Sequence, residues 1–142
     1  DCVNSLDGSC IVLANRVSYL QRMNTECEGR SVCLSGMGQS RKAKAEREKA
    51  LKQLNAGELD CIFASYKLSA EGLDVPNLRY VVFATPEKNS TTVIQSAGRV
   101  GRKAEGKAFG TVIDFVDAFG MYKSWKKKRL GYYKKIDAEV EE

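Results

Sequence analysis

The stretch SRKAKAEREKALKQLNAGELDCIFAS, residues 40–65, changes its hydrophobic period once, and that change decides the fold class. In its first part Ala43, Ala50, Leu51 and Leu54 recur at helical spacing, with Arg41, Lys42, Glu46, Glu48, Lys49 and Lys52 elsewhere. This is the pattern of a helix with one face on a core and the other in water. Ser40 stands where a side-chain oxygen can accept from the first unbonded amides, and the helix is expected to run to Asn55 and stop at Gly57. From Asp60 to Ser65 the apolar residues become continuous, which predicts a strand buried on both faces, as in a parallel sheet.

The same alternation extends in both directions. Short apolar runs at Cys10–Ala14, Ser31–Ser35, Arg79–Thr85 and Phe109–Val116 are expected to be further strands. Asn15 can cap a helix carrying Val17, Leu20 and Met23 on one face; Ser90 can cap one with Val93, Ile94 and Ala97; Asp117 can cap one with Tyr122, Trp125 and Tyr132. Strand and helix in alternation predict an α/β domain with right-handed crossovers and a mostly parallel sheet. Ligands of such sheets sit at the carboxyl ends of the strands. Residues 1–142 read as one domain, with an acidic frayed end at Asp137–Glu142.

Composition narrows the function classes. With 43% hydrophobic residues in 142, the chain can bury a core, yet no apolar run approaches the roughly 20 residues of a membrane helix. Five cysteines stand at 2, 10, 27, 33 and 61 without a Cys-x-x-Cys pair, and there is no histidine, so no metal site is expected. Cys10, Cys33 and Cys61 fall inside apolar runs, as core thiols of a reducing, cytoplasmic compartment do. A net charge of +5 is compatible with a polyanionic partner. The start at Asp1 rather than Met, without a secretory signal, suggests a piece of a longer chain.

Chemistry concentrates in Gln95-Ser96-Ala97-Gly98-Arg99-Val100-Gly101-Arg102. Two arginines three residues apart can project from one helical turn or its exit, and glycines at 98 and 101 permit close backbone approach to another surface. A planar, permanently charged donor fork suits a phosphoryl group whose oxygens gain charge during transfer. This passage resembles motif VI of superfamily 2 helicases of the DEAD/DEAH-box type. The resemblance implies that Arg99 and Arg102 act as arginine fingers on ATP bound to another domain, with Gln95 as the leading polar residue on the nucleotide side.

Other passages match the same family in the right order. Ala64-Ser65-Tyr66 followed by Glu71-Gly72-Leu73-Asp74-Val75-Pro76 resembles motif V, though alone it could be a turn with a helix cap. The resemblance implies that Ser65 contacts a phosphate of the nucleic-acid track, that Gly72 offers an amide near the nucleotide, and that Asp74 contacts the ribose or couples the two sites. Ile11-Val12-Leu13-Ala14-Asn15-Arg16 is similar to motif IV, which places Arg16 near the track. Ser35-Gly36-Met37-Gly38 and the helix after it match the element that holds the translocated strand, through Gly36 and Arg47, although the basic residues of that helix also fit a solvated face. Phe109–Asp117 resembles the closing strand of phage and restriction-type relatives. The implied fold is a RecA-like three-layer domain.

What is absent sets the activity. The sequence has neither a Gly-x-x-x-x-Gly-Lys-Ser/Thr phosphate loop nor an Asp-Glu-x-His/Asp element for magnesium. The expectation is therefore a second motor domain, inactive alone, whose partners are an upstream RecA-like domain holding ATP and Mg2+ and a nucleic acid, DNA rather than RNA on Gln95 and the closing strand. The alternative is a stand-alone basic nucleic-acid-binding module without ATP-linked motion. Lys123–Lys135, with seven basic and no acidic residues around Trp125, Tyr132 and Tyr133, can bind phosphates and stack bases, or can dock a terminal helix by its aromatics while lysines face water.

Overall fold

A computed structural model describes residues 2–34, 40–70, 74–86, 89, 95, 97–98, 100, 110–116, 118–136 and 138–141. The expected alternation is present: β1 (Cys10–Ala14), α1 (Val17–Glu26), β2 (Ser31–Leu34), α2 (Arg41–Asn55), β3 (Cys61–Ser65), α3 (Tyr66–Ala70), β4 (Tyr80–Phe83), β5 (Thr111–Asp114) and α4 (Gly120–Lys135), after a short 3-10 turn at Val3–Ser5. The strands form one sheet in the order β2-β3-β1-β4-β5. Every neighbouring pair is parallel, with Ala14 opposite Ser65 and Leu13 opposite Phe83. β1 coincides with its apolar run, whereas β3 starts one residue later than Asp60 and β4 is shorter than Arg79–Thr85 at both ends; after β5, Phe115 and Val116 are exposed.

Continuous hydrophobicity has the expected cause, because each central strand is covered on both faces. On one face Ile11, Leu13, Ile62, Ala64, Val81 and Phe83 pack with Ala50 and Leu54 of α2, with Ala97 and Val100, and with Tyr133 of α4. On the other, Cys10, Val12, Ala14, Cys61, Phe63 and Val82 pack with Leu20 of α1. Cys10 and Cys61 are register partners and all five cysteines are thiols. A hydrogen bond with Cys10, reinforced by burial, pushes the Cys61 thiol far above the ordinary range, as suits a small core side chain rather than a nucleophile.

Local signals decided some helix ends and not others. Ser40 Oγ accepts from the Ala43 amide at 3.2 Å, and α2 ends at Asn55 before Gly57, whose φ of +80° is a left-handed conformation that favours glycine. Asn15 behaves differently from expectation: Arg16 occupies the N-cap of α1, while the Asn15 side chain donates to the Pro86 carbonyl at 3.2 Å. Val17 is exposed, Leu20 buried and Met23 half-buried. The last helix starts at Gly120 with Phe119 at its N-cap, later than a cap at Asp117 would place it. Asp117, Ser90, Val93 and Ile94 lie outside the described residues, whereas Ala97 is helical and buried. The five-residue α3 was not anticipated.

The last helix docks on the sheet through charge as well as through rings. Arg129, 1% exposed, donates from Nε to Asp114 Oδ2 at 2.6 Å, and the Tyr133 hydroxyl donates to the same oxygen at 2.8 Å. Burial, with the Asp114 carboxylate beside it, pushes the Tyr133 phenol well above its usual range. Tyr122 and Trp125 meet edge to face at 5.2 Å between ring centres. Docking through Tyr133 with most lysines in water matches one of the two readings of Lys123–Lys135; the burial of Arg129 does not belong to either. No helix of the described residues is long and apolar enough to cross a membrane.

Candidate nucleotide and nucleic-acid interface

Parallel strands bring their carboxyl ends to one edge, and the ends of β1, β3 and β4 are laced together there. The Asn15 amide donates to Thr85 Oγ1 at 3.0 Å, and the Tyr66 hydroxyl donates to the Thr85 carbonyl at 2.6 Å. The Ala84 amide donates to the Leu13 carbonyl at 2.9 Å, extending the β1–β4 ladder past Phe83. Tyr66 is buried, its ring tilted against Phe83 with 5.7 Å between centres. Fixing three strand ends in this way holds the side chains that follow them in defined places.

Ser65, the last residue of β3, is half-buried and caps α3 by accepting from the Leu68 amide at 3.3 Å. That bond uses a lone pair of the hydroxyl oxygen and leaves its proton available to a phosphate acceptor. Arg16 is exposed two residues beyond β1, and its carbonyl accepts from Leu20 as α1 begins. Arg47 is half-buried in the second turn of α2. Asp74 is exposed next to Val75, which is buried in the core. Gly36 and Gly72 lie outside the described residues.

In the glycine-arginine passage, Gln95, Ala97, Gly98 and Val100 are helical. Ala97 and Val100, three apart, are buried and anchor the segment to the sheet; Gln95 and Gly98, also three apart, are exposed. Among the described residues a methyl group at position 98 would meet nothing within 4 Å, which leaves room there for the close approach of another surface. At Gly110 the reverse holds: a Cβ would sit 2.0 Å from the Val100 carbonyl oxygen, so only glycine lets the segment rest against the start of β5. Arg99 and Arg102 lie outside the described residues.

The model of the Helicase conserved C-terminal domain family matches residues 2–104, which include every one of these positions up to the second arginine. The chain belongs to that family. Phage T4 uvsW, named an ATP-dependent DNA helicase, is 42% identical to this helicase C-terminal domain over 60 residues, 42% of this chain and 12% of that protein. The solved structure of T4 UvsW superposes with a TM-score of 0.66 at 24% identity, covering 91% of this chain and 29% of that one. The yeast DEAD-box splicing factor Prp28 superposes with a TM-score of 0.65 at 22% identity, covering 99% and 33%. The architecture is thus the RecA-like fold of helicase C-terminal domains. This helicase C-terminal domain spans 22%, 16% and 12% of the length of three curated relatives that it matches.

Tyr66, Thr85 and Gly110 escaped the sequence reading because each acts on the backbone of a distant segment. Arg129 did leave a signal. It is the single arginine in the Lys126–Arg129 run, and arginine is the basic residue best suited to a buried carboxylate pair.

Proposed function

We propose that this helicase C-terminal domain is the second motor half of an ATP-driven helicase or translocase. It supplies Arg99 and Arg102 to ATP held by an upstream RecA-like domain, with Gln95, Gly72 and Asp74 on the nucleotide side. It grips the nucleic-acid backbone through Ser65, Arg47, Gly36 and Arg16. The observation that carries this reading is the split within the glycine-arginine passage, where Ala97 and Val100 are buried in the core while Gln95 and Gly98 are exposed, with no neighbour over Gly98 among the described residues. A segment split this way can lay Gln95 and Gly98 against a second body while Ala97 and Val100 hold it to its own core.

Closure of the two halves on ATP would bring the two guanidiniums to the transferring phosphoryl group, and reopening after hydrolysis would shift the grip by a step. Magnesium would accompany the nucleotide on the upstream domain. Among the described residues no group of three His, Cys, Asp or Glu side chains gathers to hold an ion. DNA is the expected polymer, on Gln95 and the closing strand, although a rice relative is named a DEAD-box ATP-dependent RNA helicase.

The test compares ATP hydrolysis by this chain and by the longer chain with its upstream neighbour, with and without single- and double-stranded DNA and RNA. Only the longer chain should turn over ATP, under stimulation by a polynucleotide, and Arg99→Ala or Arg102→Ala should lower that turnover by at least about a hundredfold. Wild-type turnover in either variant would remove the arginine-finger assignment. Binding of a polynucleotide without stimulated hydrolysis would favour the stand-alone binding module.

A further inference from the structure

The positive charge of this protein is concentrated in one helix. Its seven basic residues exceed the net +5 of the whole chain, and it contains no acidic residue. Helix α2, by contrast, mixes Glu46 and Glu48 among its six basic residues. Arg129 is used internally, paired with Asp114 in the docked face. Of the six lysines of α4, Lys123, Lys127, Lys128, Lys134 and Lys135 are exposed and Lys126 is half-buried.

Anchoring by Arg129 and Tyr133 also fixes which side of α4 points away from the sheet. At 3.6 residues per turn, Lys123, Lys127 and Lys134 fall in one outward row and Lys128 and Lys135 in another. Between the rows run Gly120, Ser124 and Gly131, and a methyl group at either glycine would meet nothing within 4 Å. The row from Lys123 to Lys134 is about 16 Å long at about 1.5 Å per residue. That length matches roughly five phosphates of one strand at about 3.4 Å rise. Lys135 lies over the Tyr132 ring, 5.8 Å from its centre. The carboxylates of Glu139 and Glu141 come after the helix and do not interleave with the lysines.

A membrane surface fits less well. Leu130, Tyr132 and Ile136 pack against the core with Tyr133, so beyond the exposed Phe119 and Met121 at the start of α4 the outward side has no large apolar residue to insert. We infer that α4 is a second, sequence-independent contact for the polynucleotide, in which Lys123, Lys127 and Lys134, flanked by Lys128 and Lys135, hold backbone phosphates. It lies beyond the family-matched residues 2–104 and operates without ATP. It therefore tethers the motor to its polymer in every nucleotide state.

The experiment measures binding of labelled single- and double-stranded DNA to the 142-residue chain across a salt series, without nucleotide. The triple variant Lys123→Gln, Lys127→Gln, Lys134→Gln should bind duplex at least about tenfold more weakly at low salt. Its plot of log affinity against log salt should be shallower by about two to three, since each phosphate contact contributes about 0.9. Glutamine preserves helix propensity, so melting should be unchanged. A Lys→Arg triple at the same positions should retain both affinity and slope. Unchanged affinity and slope in the glutamine triple, equal loss in the arginine triple, or loss of binding to anionic vesicles but not to DNA would each overturn the inference. The motor reading fails separately, on a longer chain that leaves ATP intact, so the two failures are distinguishable.

Discussion

Helices α2 and α4 carry over half of the basic residues on the same face of the sheet, but they are specified in different ways. In α2 a serine cap opens the helix, Gly57 closes it, Ala50 and Leu54 pay its docking cost, and glutamates dilute the positive charge. In α4 the N-cap has no side-chain hydrogen bond, and Lys123 and Lys127 repel at a spacing where like charges destabilise by about 0.2–0.5 kcal/mol. What holds α4 is tertiary: Tyr133 in the core, and Arg129 and Tyr133 converging on Asp114 Oδ2. A helix kept by a buried ion pair can present an unmixed row of lysines, which local rules alone would not support.

The largest break in this contrast is predicted for Arg129→Ala. Removing one partner of a buried pair leaves Asp114 without its counter-charge and opens a void, and a loss of about 3–5 kcal/mol is expected in urea denaturation. A loss below about 1 kcal/mol would show that the rings alone dock α4. Tyr133→Phe removes one hydrogen bond to the same carboxylate while keeping the ring, and should cost about 1.5–2 kcal/mol. Its pH dependence is a sharper measure. An unfolded tyrosine ionises near pH 10.0, whereas Tyr133 in the fold resists. Its contribution is therefore complete below that pH and is lost as pH rises above it. The phenylalanine variant should lose that part of the alkaline destabilisation; an unchanged alkaline limb would place the phenol in water.

The same contrast explains how far the sequence could be read. The five strands and α2 were legible because their signals are local or periodic: continuous runs for strands covered on both faces, a cap and a stop for the helix. The strand-end ties were not, because Asn15 looks the same whether it caps α1 or reaches Pro86. Neither was the lock at Asp114, since the lone arginine of a lysine run hints at a buried pair without naming a partner 15 residues away. At the candidate site, Ser65 falls at a strand end as expected, yet its capping of α3 depends on a helix too short to leave a periodic trace.

Ser40→Ala is the smallest effect and tests whether the two helices are independent. The cap bond to Ala43 is worth about 1 kcal/mol, so the unfolding free energy should fall by that amount, read as a lower denaturation midpoint with an unchanged slope. Because α2 connects β2 to β3 at one end of the strand order, and α4 is pinned to β5 at the other, losses from Ser40→Ala and Arg129→Ala should add within about 0.5 kcal/mol. Both helices contribute to one core cluster, through Leu54 and Tyr133, which gives the alternative a physical route. An interaction energy well above that limit would mean that loosening α4 also loosens α2, making the basic rows of the two helices one mechanical unit rather than two.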